Sequence, residues 1–270
     1  MSTIPLGPFE LYEPIGHGGM GEVWRGIHRA QRVPVAVKVL TAKGMRRSFF
    51  LVAFRNEVRA MAGLDHPCIA LVFDHGEVSE EAAALSEGRL AVDSPYIAME
   101  LAHGGTLAPW AGRLAWADCR DVLLRLLDAL AHAHARGVIH RDLKPANVLL
   151  CTDEDLRPGI KLTDFGLAHL PELTGRTAAR GPTAGTPHYM APEQVQGRRR
   201  EYGPWTDLYS LGRLALALVW GTPLPDPNRH VPATAIPPGF DAWVSRLLQQ
   251  ETEERFQRAA DAAMALMDLG

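Results

Sequence analysis

The stretch IGHGGMGEVWRGIHRAQRVPVAVK, residues 15–38, decides between two folds. Its glycines Gly16, Gly18 and Gly21 match the pattern G-x-G-x-x-G, which occurs in two unrelated phosphate-binding loops. A dinucleotide-binding fold places these glycines between a strand and a helix, with an acidic residue about 20 positions later. Here they are followed by EVWRGIH, which alternates like a strand, and by a second strand that carries Lys38. The pattern alone is equally compatible with a flexible hairpin, so the rest of the chain has to decide.

Composition indicates an ordinary globular protein. The chain has 270 residues, of which 47% are hydrophobic and 22% are charged, and its formal net charge is −3. A chain of this size can bury a substantial core without disulfides or metals. The small negative charge gives no reason to expect nucleic acid or an anionic membrane as a partner.

Cysteine spacing and hydropathy bear on where the protein works. Cys68, Cys119 and Cys151 form no C-x-x-C pair, which argues against both a disulfide framework and a zinc site and favours reduced thiols. The N-terminus MSTIPLGPFELYE does not resemble a signal peptide. The longest apolar run, Leu208 to Trp220, is too short to span a bilayer and contains Arg213. We therefore expect no membrane segment and a cytoplasmic protein.

The first third of the chain is rich in strand patterns. Strands are predicted from Phe9 to about Leu40, followed by a helix over Ser48 to Leu64 and by two further strands, CIALVFDHG and SPYIAMEL. The acidic, alanine-rich segment Glu77 to Asp93 between those two strands is predicted to be an exposed excursion with a helical turn.

After the break at Gly104 and Gly105 the pattern becomes helical. Helices are predicted over Trp116 to Gly137, Leu208 to Trp220, Phe240 to Gln250 and Ala259 to Leu269. The proline-rich stretch Gly221 to Gly239 is predicted to be a loop, because the helical segment after it is too small to fold alone.

Further motifs follow the glycines in a fixed order. VAVK ends at Lys38, and Glu57 lies on the next helix, where it can supply the anion that a buried lysine requires. HRDLKPAN covers His140 to Asn147, DFG covers Asp164 to Gly166, and GTPHYMAPE covers Gly185 to Glu193. Five matches in this order leave little room for chance.

The chain therefore resembles the catalytic domain of eukaryotic-type (Hanks-type) serine/threonine protein kinases, and GHGGMGEVW is most similar to the bacterial branch of that family. The resemblance runs from Phe9 to about Leu269. It implies an α+β, two-lobed fold and a single kinase domain over residues 1–270. Residues 9–101 would form the β-rich, ATP-binding lobe with one main helix, and residues 102–270 the larger helical lobe.

The family's reaction needs positioning and neutralisation of charge rather than covalent chemistry. The resemblance implies that the backbone of Gly16, Gly18 and Gly21 approaches the ATP phosphates and that Lys38 pairs with them. Glu57 would hold Lys38 in place.

Adenine would lie among apolar side chains, with its edge on the backbone of the connection between the lobes. The residues implied are Ile15, Val23, Ala36 and Leu149 around the ring, Met99 at the back, and the backbone of Glu100 and Ala102. These apolar residues are equally consistent with plain core packing.

The catalytic loop and the DFG motif carry the remaining chemistry. The resemblance implies that Asp142 accepts or orients the proton of the substrate hydroxyl and that Lys144 reaches the transferred phosphate. A lysine two residues after the aspartate resembles serine/threonine kinases, so protein Ser/Thr hydroxyls are the expected acceptors. Asn147 and Asp164 would bind Mg²⁺, with Mn²⁺ as an alternative.

Other motif residues have structural roles in the family. His140 would pack beside Phe165, Asp207 would brace the catalytic loop, and Glu193 would pair with Arg255. The resemblance implies no catalytic role for any of these residues. His132 and His134, near the end of a helix, are likewise not expected to be catalytic.

Control is expected at the activation segment. Arg141 would pair with a phosphate there, and the candidate acceptors are Thr174, Thr177 and Thr183. Thr183 or Thr177 is the hypothesised site of autophosphorylation, which a transient homodimer would support, whereas Thr186 is expected to contact the catalytic loop.

The sequence leaves two other functional interpretations open. A pseudokinase that acts as a nucleotide-binding scaffold usually lacks the lysine or one of the catalytic aspartates, yet all are present here. A small-molecule phosphotransferase of the same fold generally lacks the GTPHYMAPE segment. The long excursion at Glu77 to Asp93 and the short stretch at Gly221 to Gly239 depart from the family pattern and put the choice of substrate in doubt.

Overall fold

The first hundred residues form an antiparallel sheet. The computed structural model describes residues 3–18, 21–40, 47–165, 187–226 and 228–269. In its six-stranded sheet the strands lie in chain order, except that the sixth lies between the fourth and the fifth. The strands are β1 (Ile4–Leu6), β2 (Phe9–Gly18), β3 (Gly21–His28), β4 (Pro34–Leu40), β5 (Val72–Glu77) and β6 (Pro95–Glu100). Every neighbouring pair is antiparallel.

One helix packs on the inner face of this sheet. Helix α1 (Arg47–Ala62) places Phe54, Val58 and Met61, at spacings of four and three, in the main core. The prediction of a helix from Ser48 to Leu64 is thus confirmed within two residues at each end.

The outer face of the sheet is covered as well. The excursion between β5 and β6 contains helix α2 (Glu80–Leu85), which confirms the helical turn. It was predicted to be exposed, and most of its residues are, but Val78, Ala82 and Leu90 are buried in a second hydrophobic cluster with Val35 and Val37. These three side chains are spaced by four and eight residues, which gave too weak a periodicity to be read among acidic and alanine residues.

The remaining residues form a helical lobe with a small hairpin. Its elements are α3 (Trp116–His134), β7 (Val148–Cys151), β8 (Gly159–Leu162), α4 (Pro192–Val195), α5 (Pro204–Trp220), α6 (Phe240–Leu247) and α7 (Ala259–Met267). Helix α5 is buried along most of its length and α3 along one face, and they share one core with α1, α6 and α7.

The predicted helices are all present, with shifted ends. Helix α5 begins at Pro204 rather than Leu208, because a proline is favourable in the first turn, where its missing N–H is not needed. The described part of the stretch 221–239 contains no helix, as predicted. Among the helices that the structure describes, none is both long and apolar enough to cross a bilayer. The α+β, two-lobed architecture is confirmed.

Candidate active site

A cleft of about 590 Å³ lies between the sheet and the helical lobe. It brings together most of the side chains that the motifs singled out. From the adenine and phosphate set, its walls include Ile15, Gly16, Gly21, Val23, Ala36, Lys38, Met99, Ala102 and Leu149. From the catalytic and metal set they include Asp142, Lys144, Asn147 and Asp164.

The glycine-rich stretch forms the hairpin between β2 and β3. Gly18 and Gly21 are cross-strand partners at its tip. Gly21 has φ +143°, and a Cβ atom there would lie 1.9 Å from the carbonyl oxygen of Val39. Any side chain at this position would therefore collide with the neighbouring strand, so glycine is required by the backbone itself. This close packing holds the tip of the hairpin against β4.

Lys38 is paired with a different acid from the one that the sequence predicted. Its Nζ lies 2.7 Å from Oδ2 of Asp164, and Glu57 instead lies 3.5 Å from Nη1 of Arg141. The predicted contact between Lys38 and Glu57 is thus not present in this arrangement. Each of these partly buried charges is paired with an opposite charge nearby. Asp164, which has φ +66°, pairs with Lys38 in the cleft. Burial raises the pKa of Glu57, and Arg141 partly offsets this rise.

The catalytic loop folds back on itself around Asp142. Its carboxylate accepts hydrogen bonds from Lys144 Nζ at 3.0 and 2.8 Å and from Asn147 Nδ2 at 3.0 Å. The same amide nitrogen donates to the carbonyl oxygen of Asp142 at 2.7 Å. A single turn of 3-10 helix, Pro145–Asn147, brings Asn147 back to this position. One acid, one ammonium and one amide therefore meet at a single point of the cleft.

Asp207 holds the backbone of this loop. Its carboxylate is fully buried and accepts from the backbone N–H groups of His140 at 2.8 Å and Arg141 at 2.7 Å. His134 Nε2 lies 2.8 Å from the same carboxylate. Burial alone would raise the pKa of Asp207, but the hydrogen bond and charge of His134, together with His140 and the N–H of Arg141, lower it. Arg141 has φ +68°, a conformation that these hydrogen bonds help to fix.

His140 lies in the core rather than in the cleft. Its ring is fully buried and packs against Phe165 with 4.5 Å between ring centroids. Nδ1 accepts from the N–H of Asp142 at 3.2 Å, so Nε2 carries the hydrogen and donates to the carbonyl of Thr163 at 2.9 Å. Burial lowers the pKa of His140, although Asp207 and Asp142 favour the charged ring. This geometry is that of a structural histidine.

Glu193 and Arg255 form a buried ion pair in the helical lobe. Both side chains are 0% exposed, and Nη2 of Arg255 lies 2.9 Å from Oε2 of Glu193. Thr206 Oγ1 donates to the same carboxylate at 2.8 Å. Burial would raise the pKa of Glu193, but the hydrogen bonds, above all that from Arg255, lower it. The two residues are partners as the sequence resemblance implied.

Two residues that line the cleft, His103 and Thr106, were not anticipated from the sequence, whereas Glu100, which was predicted, does not line it. Glu100 has its side chain turned away from the cleft, where it accepts from the N–H of Leu71 at 2.9 Å and from Arg157 Nη2 at 2.5 Å. His103 and Thr106 line the cleft beyond the connection between the lobes. His103 Nδ1 lies 2.6 Å from the buried Asp155, a pairing across 52 residues that no local pattern reveals.

Some expected sites lie outside the described residues. Gly166 and the activation-segment positions Thr174, Thr177, Thr183 and Thr186 fall in the range 166–186, which the structure does not describe. Their roles stay predictions.

The oxygen ligands in the cleft suit a divalent cation that also binds phosphate. Asn147 uses its Nδ2 for both contacts to Asp142, which leaves its Oδ1 as an acceptor. The backbone N–H of Thr163 donates to the carbonyl of Asn147 at 3.0 Å, so Asn147 and Asp164 lie on adjacent segments. Within the described ranges no group of three or more His, Cys, Asp or Glu side chains could hold a metal by itself. Mg²⁺ characteristically takes one or two protein oxygens together with phosphate and water.

Comparisons with known proteins agree with this geometry. A family model described as "Protein kinase domain" matches residues 9–265. The chain is 33% identical over 282 residues to serine/threonine-protein kinase Pkn1 of Myxococcus xanthus, with 97% of this chain and 38% of that protein covered. It is 37% identical over 218 residues to serine/threonine-protein kinase PknA of Mycobacterium tuberculosis, with 80% and 47% covered.

Among solved structures, the PknI kinase domain of Mycobacterium tuberculosis is similar, with a TM-score of 0.73 and 25% identity. The alignment covers 99% of this chain and 98% of that one. The chain spans less than half the length of the two full-length relatives, 38% and 47%. The family match, these relatives and the shared fold establish that the chain belongs to the protein kinase family, in its bacterial Hanks-type serine/threonine branch.

Proposed function

We propose that this domain transfers the γ-phosphoryl group of ATP to Ser and Thr hydroxyls of proteins. The observation that carries the proposal is the meeting of Asp142, Lys144 and Asn147 within 3.0 Å, in the cleft that also contains Lys38 and Asp164. Phosphoryl transfer needs positioned charges around a reacting hydroxyl, and this cluster provides them.

ATP would lie with its adenine between the two lobes and its phosphates under the glycine-rich hairpin. The apolar wall formed by Val23, Ala36 and Leu149 suits a planar base, and Met99 closes the back of the cleft. The backbone of Glu100 and Ala102 is proposed to hydrogen-bond the edge of the base. Because Gly21 has no side chain, its backbone lies close to the carbonyl oxygen of Val39, and we propose that the N–H groups of this hairpin approach the phosphates.

Asn147 and Asp164 are the proposed ligands of Mg²⁺, with Mn²⁺ as an alternative. When bound, the cation would neutralise charge on the phosphates and orient them. Lys38 would then exchange Asp164 for the phosphates, because the carboxylate oxygen it now holds at 2.7 Å would face a stronger cation.

Asp142 would orient the substrate hydroxyl and accept its proton at a carboxylate oxygen. The hydroxyl oxygen forms the new bond to the γ-phosphorus while the bond from that phosphorus to the ADP oxygen breaks. Lys144 would neutralise charge on the transferred group, since its Nζ already lies 2.8 Å from Asp142. Asp142 thus acts on the attacking hydroxyl oxygen, and Lys144 acts on the phosphoryl group to which that oxygen bonds.

The regulation that we propose centres on Arg141. Its guanidinium now pairs with Glu57 at 3.5 Å, and a phosphate on Thr183 or Thr177 would compete for it. Release of Glu57 would allow it to pair with Lys38. Phosphorylation by a second copy of the chain, in a transient homodimer, is the proposed source. An active protein recovered from ATP without phosphate on residues 166–186 would overturn this part.

The proposed division of the chain follows the cleft. Residues 9–101 form the ATP-binding lobe and residues 102–270 the catalytic and substrate-binding lobe, within one kinase domain over 1–270. The use of ATP and the unpaired state of the described Cys68, Cys119 and Cys151 support a cytoplasmic location for the domain.

The acceptor can be identified by one assay. The purified chain is incubated with γ-labelled ATP and Mg²⁺, with and without a generic basic protein, and labelled protein is hydrolysed for phosphoamino-acid analysis. Label on phosphoserine or phosphothreonine supports the proposal. Label only in an added aminoglycoside-like molecule would indicate a small-molecule phosphotransferase, and no transfer despite tight ATP binding would indicate a pseudokinase.

A further inference from the structure

The segment between β5 and β6 is an ordered cover on the outer face of the sheet. Residues 78–94, here called the cover segment, are closed by hydrogen bonds from Val78 N to Ser94 O at 2.9 Å and from Asp93 N to Val78 O at 2.8 Å. Ser79 caps α2, its hydroxyl accepting from the N–H of Ala82 at 3.2 Å. The segment therefore holds a defined shape rather than trailing in solvent.

The cover segment packs on the strands that carry the glycine-rich hairpin. Leu90 and Val78 are 3% and 1% exposed and belong to one cluster with Trp24 of β3 and Val39 of β4. The N–H of Leu90 donates to Ser86 Oγ at 2.9 Å, and the N–H of Arg89 donates to Ser86 O at 3.1 Å. Arg89 is thus fixed at its backbone, directly beside the sheet.

The side chain of Arg89 makes two contacts to β3. Its guanidinium lies over the indole of Trp24, 5.2 Å from the ring centroid, and Nη2 lies 3.2 Å from Oε1 of Glu22. A planar guanidinium can stack on an aromatic ring and hydrogen-bond a carboxylate at the same time, which an ammonium does poorly. Both contacts fall within three residues of Gly21.

Glu22 connects Arg89 to both strands of the hairpin. It directly follows Gly21 in β3 and faces His17 across the hairpin, with 3.8 Å between its Oε1 and His17 Nδ1. The side chain of Glu22 is 19% exposed, and its Oε2 is buried without a hydrogen-bond partner among the described residues. A largely buried carboxylate of this kind depends on its arginine for neutralisation.

We propose that Arg89 is a positioning residue that holds the glycine-rich hairpin over the nucleotide phosphates. Arg89 belongs to the cover segment and contacts Glu22 and Trp24 of β3. Glu22 follows Gly21 and is paired with His17 across the hairpin, and both Gly21 and His17 line the cleft. This inference rests on the proposed function, because it assumes that the hairpin closes on ATP. Without Arg89 the hairpin would sample positions too far from the phosphates, which weakens nucleotide binding more than the chemical step.

The test compares Arg89→Ala and Arg89→Lys with a matched control, Arg125→Ala. Arg125 is 50% exposed, against 48% for Arg89, and pairs with Asp121 at 2.6 Å on helix α3 of the helical lobe. Each variant of the full chain is assayed for binding of a fluorescent ATP analogue with Mg²⁺, for KM and kcat, and for hydrogen exchange of residues 15–24. Glu22→Gln breaks the same contact from the other side.

Arg89→Ala is expected to weaken analogue binding and raise KM for ATP about fivefold, as an ion pair plus a cation–π contact allow. The value of kcat should stay within about twofold. Exchange should rise in residues 15–24 and not across the helical lobe. Arg89→Lys should recover part of the loss, Arg125→Ala should match the wild type, and adding Glu22→Gln to Arg89→Ala should cause little further loss.

Two results would overturn the proposal. In a wild-type chain that binds ATP, unchanged binding and unchanged exchange in Arg89→Ala would remove Arg89 from the site while leaving the proposed function standing. A loss in Arg89→Ala that is fully additive with that of Glu22→Gln would show that the two residues act separately. A wild-type chain that binds no nucleotide would overturn the proposed function itself, and this inference with it.

Discussion

Gly21 shows how one residue shapes the nucleotide site. Its φ of +143° and the 1.9 Å approach of a hypothetical Cβ to Val39 O leave no room for a side chain. Gly16 belongs to the same motif, but a Cβ there would lie 3.7 Å from Val23, an ordinary contact distance. The motif therefore contains glycines with different physical requirements.

Replacement by alanine should separate the two glycines. Gly21→Ala is expected to lower the free energy of unfolding by about 1–3 kcal/mol, because backbone strain is added at the hairpin. Gly16→Ala should change it by less than about 0.5 kcal/mol. Denaturant unfolding of both variants provides the measurement. Equal losses in the two variants would contradict the role assigned to the contact with Val39.

At the scale of an element, helix α1 carries the main difference between this structure and the arrangement expected for catalysis. Glu57 on α1 pairs with Arg141, while Lys38 pairs with Asp164. A helix that carries one such carboxylate can change partners by a small movement. The proposed reaction requires Glu57 to pair with Lys38.

Glu57→Gln should therefore impair catalysis without unfolding the domain. We expect kcat/KM to fall by about 100-fold, the scale of loss when a reacting group is misplaced. The melting temperature should change little, because the pair that Glu57 makes with Arg141 is partly exposed. Steady-state kinetics and thermal unfolding measure the two effects, with Asp261→Asn at a surface pair as control. Wild-type kcat/KM in Glu57→Gln would exclude the role proposed for the Glu57 carboxylate.

The elements themselves were largely predictable, and the exceptions have physical causes. Helix α3 has a strong apolar face, so its existence and its start at Trp116 could be predicted, but it ends at His134, three residues before the Gly137 taken as its stop. The strand β1 has only three residues and no alternation to detect. The sequence of the cover segment predicts an acidic, exposed stretch. The burial of its apolar side chains depends on a sheet face that forms only in the folded domain.

At the scale of the whole molecule, buried charges tie distant segments together. Glu193 and Arg255 join two parts of the helical lobe, and Asp207 joins α5 to the catalytic loop. Arg157 joins the hairpin of β7 and β8 to Glu100, between the lobes. Asp207 thus ties the catalytic loop to the helical lobe, and Arg157 ties the β7–β8 hairpin to the sheet.

Removing one partner of the buried pair should be costly. Glu193→Gln leaves the guanidinium of Arg255, whose side chain is 0% exposed, without a counter-charge. The free energy of unfolding at neutral pH is expected to fall by about 3–5 kcal/mol. Urea unfolding of the wild type and the variant measures this difference. A loss below about 1 kcal/mol would mean that Arg255 finds other partners.

The same pair should make stability depend on pH. The pKa of Glu193 is lowered in the folded state, so its contribution is fully present above the ordinary pKa of glutamate. It is lost as the pH falls below that value through the lower folded pKa. The difference in unfolding free energy between the wild type and Glu193→Gln should accordingly narrow on acidification. A difference that stays constant over this range would contradict the assigned pKa.

The positions of the site residues could be read from the sequence, but several of their partners could not. HRDLKPAN fixes Asp142, Lys144 and Asn147 within one loop, so their meeting follows from local geometry. The partner of Lys38 depends on where α1 lies relative to Asp164, which is a property of the assembled lobes. The contacts of Arg89 with Glu22 and of Arg157 with Glu100 span 67 and 57 residues, beyond the reach of any local pattern.

The most direct test of the account is the rate of phosphoryl transfer by Asp142→Asn. Asparagine keeps the size of the side chain and removes its ability to accept the hydroxyl proton. The account predicts a fall in kcat of at least about 100-fold, the contribution expected of a general base. KM for ATP should stay within about threefold, because Asp142 is not assigned to nucleotide binding. A wild-type rate of transfer in Asp142→Asn would contradict the account.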